Sequence, residues 1–210
     1  KEDFNLGFLD ATPGQRMARD YLADLARAAE GHLWLGGHSK GGNLAVYAAA
    51  RSEAAVQARI QAVFNNDGPG FSENMLKEAG YRAVLHRVQT FVPQSSVVGM
   101  LLEHEGGYTI VHSRQLGIWQ HEPYSWELSG PDFVRMETVT EGSRRVDQTM
   151  KRWLSGLSRE ERGEFVDAVY ALLQASDAGR LGELAQPKNA AAILRRFWQE
   201  PPETRQMILN

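Results

Sequence analysis

Residues 32–50 read HLWLGGHSKGGNLAVYAAA, an apolar run that meets a glycine-rich turn and then an alanine-rich run. The apolar residues 32–35 predict a buried strand, and the alanine-rich run predicts a helix packed closely on a sheet. Between them, residues 37–41 match the motif Gly-x-Ser-x-Gly. In that motif a strained strand-to-helix turn lifts a serine hydroxyl above the sheet, so the sequence predicts that Ser39 is a nucleophile.

Residues 36–42, which we call the elbow, contain four glycines. A side chain two residues before or after Ser39, at Gly37 or Gly41, is expected to collide with the neighbouring strand or helix. The backbone amide of Lys40, at the predicted start of the helix, is expected to supply one oxyanion-hole donor. The side chains of Lys40 and Asn43 are interpreted as structural, because polar groups beside such a turn often satisfy nearby backbone groups.

On both sides of the elbow, helical and strand patterns alternate along the chain. The predicted helices cover residues 13–29, 43–51 and 72–79, and the predicted strands cover residues 32–35, 58–64 and 83–92. Alternation of this kind favours an α/β fold with a mainly parallel sheet flanked by helices.

The pattern changes in the second half of the chain. Residues 108–112 and 124–128 are predicted as strands of a hairpin or sheet edge, and the chain from about residue 140 is predicted to be helical. Ser158 begins a capping box, and a second helix is predicted at 188–199. We therefore expect a core over residues 1–135 and a helical cover over residues 136–210 that packs on the same domain.

Composition excludes several classes of function. The chain has 210 residues, a formal net charge of −3 from interspersed acids and bases, and no cysteine. These numbers disfavour a nucleic-acid partner, and they exclude disulfides and thiolate chemistry. No apolar run is long enough to span a membrane. We expect a soluble, cytoplasmic chain without a metal or organic cofactor; because it begins at Lys1 without a signal-peptide pattern, we also expect it to start inside a longer protein.

A serine nucleophile needs a base, and six histidines are candidates. Three are interpreted as structural from their positions in the elbow or in predicted strands: His32, His38 and His86. Of the others, His121 is favoured because it lies in a late loop rich in polar and aromatic residues, where a histidine can fold back over the serine. His112 and His104 stay open as alternatives.

The acid that would orient this histidine is predicted to be Asp67. It lies in the turn NNDGPG at residues 65–70, just past a predicted strand, where a carboxylate can reach a histidine above the sheet. Aspartate is also an ordinary turn residue in such a sequence. Glu103 is the competing candidate.

Four blocks of the chain, at residues 36–49, 66–71, 91–101 and 121–126, resemble a bacterial family of α/β-hydrolase-like proteins long catalogued as a domain of unknown function. The resemblance implies the α/β-hydrolase fold and a relationship to the class 3 lipases. It also implies that early strands, and a second oxyanion amide, lie in a segment before this chain. Class 3 lipases carry an aspartate where this chain has Ser95 and Ser96, so the acid role moves to Asp67.

These observations predict a serine hydrolase that cleaves carboxylic esters, with a small-molecule or lipid-like substrate. Ser39 would attack, His121 would carry the proton and Asp67 would orient the histidine. Two alternatives stay open: a non-catalytic α/β-hydrolase-fold protein that binds a ligand or partner, and an acyltransferase.

Overall fold

The computed structural model describes residues 11–96, 99, 106–138, 187–202 and 205–206. Its centre is a mixed, mostly parallel sheet of five strands in the order β1-β2-β3-β4-β7, in which only β7 is antiparallel to its neighbour. The strands are β1 Leu33–His38, β2 Ile60–Asn66, β3 Val88–Pro93, β4 Thr109–Val111 and β7 Arg135–Met136, and a separate ribbon pairs β5 Leu128–Ser129 with β6 Asp132–Phe133. The predicted α/β architecture with a mainly parallel sheet is confirmed.

Helices flank this sheet. They are α1 Pro13–Ala28, α2 Lys40–Ala50, α3 Ala54–Gln57, α4 Glu73–Leu76, α5 Ala79–Leu85 and α6 Pro187–Gln199, with 3₁₀ turns at Gly117–His121 and Pro123–Ser125. Thr12 starts α1 through a capping box with Gln15. Pro13 occupies the first helical position, where its missing N–H costs no hydrogen bond. No helix within the described ranges combines the length and the apolar character needed to cross a membrane.

The main core lies between α2 and β2. Its twelve buried residues are Leu22, Val46, Tyr47, Ala48, Ala49, Ala50, Ile60, Val63, Phe71, Met75, Tyr81 and Val84. The alanines let α2 approach the sheet closely, because a methyl side chain occupies little space between backbones. A second cluster, Phe91, Val111 and Trp126, packs with Phe64 and Phe133.

The register of the parallel strands places the carboxyl ends of β1 and β2 next to each other. His38 of β1 pairs with Asn66 of β2, and Asn66 pairs with Phe91 of β3. Since parallel strands end at the same edge, Ser39 and Asp67, which follow the paired His38 and Asn66, emerge side by side.

Three predicted strands differ from the structure. Residues 83–85 of the predicted strand 83–92 belong to helix α5, because Val84, Val88 and Phe91 also fit a helical spacing and Val84 packs on the core as part of a helix. Residues 123–125 form a 3₁₀ turn, and only Trp126 bridges to Ser113.

The strand predicted to be buried, β1, lies at the edge of the described sheet, and its Trp34 is 65% exposed. Glycines 36 and 37, predicted as the turn, still belong to this strand. The helix predicted at 188–199 is present as α6, whereas the one predicted after Ser158 lies outside the described residues.

Candidate active site

Ser39 occupies the predicted strand-to-helix turn. It follows the last residue of β1 and precedes the first residue of α2, with φ 57° and ψ −130°. A non-glycine residue in this region costs about 1–3 kcal/mol and persists only where its surroundings fix it. Here the Ser39 amide donates to the carbonyl oxygen of Asn66 at 2.8 Å, and the Ser39 carbonyl accepts from the amide of Gly42 at 2.9 Å. Strand β2 and helix α2 thus hold the strained turn from both sides.

Two glycines of the elbow are needed for steric reasons, but they are not the two that the motif indicates. A Cβ at Gly37 would overlap the carbonyl group of Gly41, as predicted. At Gly41 itself a Cβ would meet no atom within 4 Å, so that prediction is wrong. A Cβ at Gly42 would instead overlap Oδ1 of the buried Asn65. The reason is the helical turn: Gly41 points outward, whereas the next residue faces strand β2.

Asp67 is fully buried beside the elbow, and it also has a positive φ of 51°. Its amide donates to the carbonyl oxygen of Phe91 at 2.8 Å, which ties it to β3. The next residue, Gly68, packs so closely on the elbow that a Cβ there would overlap the carbonyl oxygen of Ser39. The backbone just after Asp67 therefore lies against the backbone of the predicted nucleophile.

The Asp67 carboxylate is hydrogen-bonded at both oxygens. Oδ2 lies 2.7 Å from Nδ1 of His121, and Oδ1 accepts from the Ser96 hydroxyl at 2.5 Å and from the Gly99 amide at 3.0 Å. Ser96 lies just after β3, in the segment where, according to the resemblance described above, class 3 lipases carry an aspartate. Its hydroxyl supports the acid from that position, a role that the residue type alone did not indicate.

His121 ends the 3₁₀ turn Gly117–His121, and its side chain is 12% exposed. Because a carboxylate only accepts, Nδ1 carries the proton, and Nε2 is left with the lone pair that a general base uses. Buried Gln120 anchors the turn: its side chain accepts from the Ser95 amide and donates to the Gln115 carbonyl, each at 2.8 Å. The Trp126 indole donates to the Gln120 carbonyl at 2.8 Å.

His38, predicted to be a structural residue that points away from the serine, has its ring against His121. Its Nε2 lies 2.6 Å from the His121 carbonyl oxygen, and the two ring centroids are 4.5 Å apart with an interplanar angle of 41°. Burial lowers the pKa of His38 most, and the nearby His121 lowers it further. The neutral ring donates from Nε2, since a carbonyl oxygen only accepts.

Lys40 begins α2, so its amide lies in the first turn, where backbone N–H groups point out along the helix axis. This is the position required of the predicted oxyanion donor. Asn43 is fully buried and structural as expected: its amide nitrogen donates to the carbonyls of Pro69 and Gly70, and its Oδ1 accepts from Gln15. The hydrogen bonds of the described residues do not include one between Ser39 Oγ and His121 Nε2.

The other predicted candidates lie elsewhere. His112 belongs to the β4 region, with Nδ1 2.8 Å from Oε2 of Glu127 but without the geometry of a hydrogen bond. His32 and His86 are exposed. Glu103 and His104 lie outside the described residues. A small cavity of about 10 Å³ is lined by Asn65 and Thr90 among others, and none of Ser39, Asp67 and His121 borders it.

Within the described part of the chain, no group of three or more histidine, aspartate and glutamate side chains is arranged to hold a metal ion. Comparison with curated proteins and with solved structures gave no match. A sequence model of one family, described as Mbeg1-like, matches residues 1–171. Because that match covers most of the 210 residues, the chain belongs to the Mbeg1-like family.

Proposed function

We propose that this chain is a serine hydrolase of the α/β-hydrolase fold, related to the class 3 lipases, that cleaves carboxylic esters. The observation that carries the proposal is the 2.7 Å contact between Asp67 and His121 at the sheet edge where Ser39 is held in a strained turn. A buried carboxylate, a histidine oriented by it and a strained serine are the three parts of a catalytic triad.

In the proposed reaction, Nε2 of His121 takes the hydroxyl proton of Ser39 while Oγ attacks the ester carbonyl carbon. The oxygen of the tetrahedral intermediate becomes negative, and the Lys40 amide at the start of α2 donates to it. Asp67 stabilises the imidazolium of His121, which then protonates the departing alcohol. A water molecule, deprotonated by the same histidine, releases the acid from the acyl-serine.

Exposed apolar side chains on the segment that carries His121 support an ester with an apolar part. Leu116 is 80% exposed and Tyr124 is 90% exposed, and Trp119 lies between them in sequence and is also exposed. Exposed apolar groups on the chain segment that bears the proposed base favour apolar ligands, because contact removes both surfaces from water. The proposed substrates are therefore small or lipid-like acyl esters.

Labelling with a fluorophosphonate probe tests the proposal, since such probes react covalently with an activated serine. The wild-type protein should be labelled, and Ser39→Ala should not. Ser72→Ala is the matched control, because Ser72 precedes α4 without a side-chain capping bond, so this protein should be labelled like the wild type. Equal labelling of Ser39→Ala, or no labelling of a folded wild-type protein, would contradict the proposed function.

A second candidate function is non-catalytic binding at the same site. It is favoured by the lack of a Ser39 Oγ to His121 Nε2 hydrogen bond among the described residues, since an unused triad needs no such alignment. A folded protein that binds a p-nitrophenyl ester but neither hydrolyses it nor reacts with the probe would support this candidate.

A further inference from the structure

We propose that His38 is a positioning residue, which holds the main chain of His121 on the elbow through its Nε2–H. The inference rests on the proposed function and assigns a role to the last residue of β1, directly before the nucleophile. His38 would touch no reacting atom; it would act through His121.

The geometry supplies two separate restraints on His121. Asp67, which follows β2, binds Nδ1 of the ring, and His38, which ends β1, binds the carbonyl oxygen of the same residue. Strands β1 and β2 are paired in parallel register up to His38 and Asn66, so the two anchoring residues cannot shift independently. With both ends held, the ring of His121 has one orientation rather than a range.

The second restraint also links the base to the nucleophile. His38 is bonded covalently to Ser39, so the hydrogen bond to the His121 carbonyl fixes the base relative to the backbone of the predicted nucleophile. Loss of that bond would let His121 move within the turn and would lengthen the contact between its Nδ1 and Asp67 Oδ2. A misplacement of about 1 Å in such an arrangement can cost about a hundredfold in rate.

The charge state of His38 matters because the two rings are close. His121 carries a positive charge during the proposed reaction, and a proton on His38 would repel it across 4.5 Å between ring centroids. The ionisable groups that face His38 are His121, Asp67 and Glu122. Burial and His121 keep the pKa of His38 low, so the ring is neutral above that pKa and gains the unfavourable proton only as the pH falls. The acid limb of kcat should then include a contribution from His38.

Three variants separate the donor, the ring and the charge. His38→Gln keeps an uncharged N–H donor, and it should keep kcat within about threefold while its acid limb loses one proton. His38→Phe keeps the ring without a donor and should lower kcat by about 10–100-fold with KM changed less than twofold. His38→Met fills similar space with neither and serves if His38→Phe does not fold. Wild-type kcat in both apolar variants, or equal losses in His38→Gln and His38→Phe, would overturn the inference.

A readout without catalysis separates this inference from the proposed function. Long-range ¹H–¹⁵N NMR spectra of Ser39→Ala protein report the ring protonation of each histidine. We expect a single Nδ1–H form for His121, retained with His38→Gln and replaced by a mixture of tautomers with His38→Phe. An unchanged His121 tautomer with His38→Phe overturns the inference whether or not esters are hydrolysed. If the protein with intact Ser39 has no esterase activity, the expected tautomer change would still support the inference and would count against the proposed function alone.

Discussion

Replacing Gly42 with alanine should destabilise the protein, whereas replacing Gly41 should not. The motif Gly-x-Ser-x-Gly includes Gly41, but the structure shows the steric demand at the next position. A Cβ at Gly42 would overlap Oδ1 of Asn65 and lie 3.1 Å from the carbonyl oxygen of Gly37. Asn65 cannot simply turn aside, because it is buried and its side chain accepts from the Gly68 amide at 3.1 Å.

The size of the effect follows from what must move. Displacing the Asn65 side chain breaks its bond from the Gly68 amide, which costs about 1 kcal/mol net, and leaves buried polar groups short of partners. Forcing an extra methyl group into a packed site adds about 1–3 kcal/mol. We therefore expect Gly42→Ala to lose about 3 kcal/mol of unfolding free energy. Gly41→Ala adds a methyl group in open space, so it should be neutral or gain up to about 0.5 kcal/mol from higher helix propensity.

Thermal and urea unfolding, followed by circular dichroism, would measure both effects. For a chain of this size about 3 kcal/mol corresponds to a fall of about 6–12 °C in Tm, while Gly41→Ala should stay within about 2 °C of the wild type. Equal destabilisation by the two substitutions would contradict the open space beside Gly41. A fully stable Gly42→Ala would refute the packing of α2 on β2 described above.

Three further substitutions test the contacts around the acid and the elbow. Asp67→Asn should lower kcat for a p-nitrophenyl ester by about 10³–10⁴-fold, because the negative charge that fixes the tautomer of His121 is removed. A loss below tenfold in steady-state assays would contradict the proposed triad. Ser96→Ala should lower kcat by about tenfold, since a hydrogen bond to a charged group contributes about 1.5–3 kcal/mol. An unchanged kcat would show that the Ser96 hydroxyl does not support the catalytic role of Asp67. Asn43→Ala should lose about 3 kcal/mol of unfolding free energy in urea, because three buried side-chain hydrogen bonds disappear. The control Thr12→Ala, which removes the cap of α1, should lose about 1 kcal/mol. Similar losses in the two variants would show that the Asn43 hydrogen bonds contribute little.

Local patterns predicted the parts of the fold that local chemistry controls. Thr12 and Pro13 mark the start of α1, and the glycines and alanines of residues 36–50 mark a strand, a turn and a helix, because each signal acts on its own few residues. Apolar spacing alone could not separate α5 from β3, since Val84 and Val88 are four residues apart, a spacing that lies on one face of a helix and on one face of a strand. Tertiary packing of Val84 decided that segment.

For the candidate site, too, local patterns predicted some residues and missed others. Asp67 was found because a carboxylate in a turn after a strand has a recognisable position in an α/β sheet. The roles of His38 and Ser96 were not predicted, because the partner of His38 is 83 residues away in sequence and the partner of Ser96 is 29 residues away. A pattern of neighbours carries no information on such contacts. They follow from the register of β1, β2 and β3, which only the folded chain shows.

The strain at Ser39 bears on whether the elbow is a structural turn or a reactive site. Glycine adopts a positive φ at little cost, and the elbow already has glycine at four of its seven positions. Yet the residue with φ 57° is a serine, whose side chain makes no capping bond to the helix that follows. If the turn served the fold alone, glycine would remove the strain of about 1–3 kcal/mol without losing a side-chain hydrogen bond. Among the described residues, the hydroxyl of Ser39 therefore has no structural use that offsets its cost, which favours a chemical one.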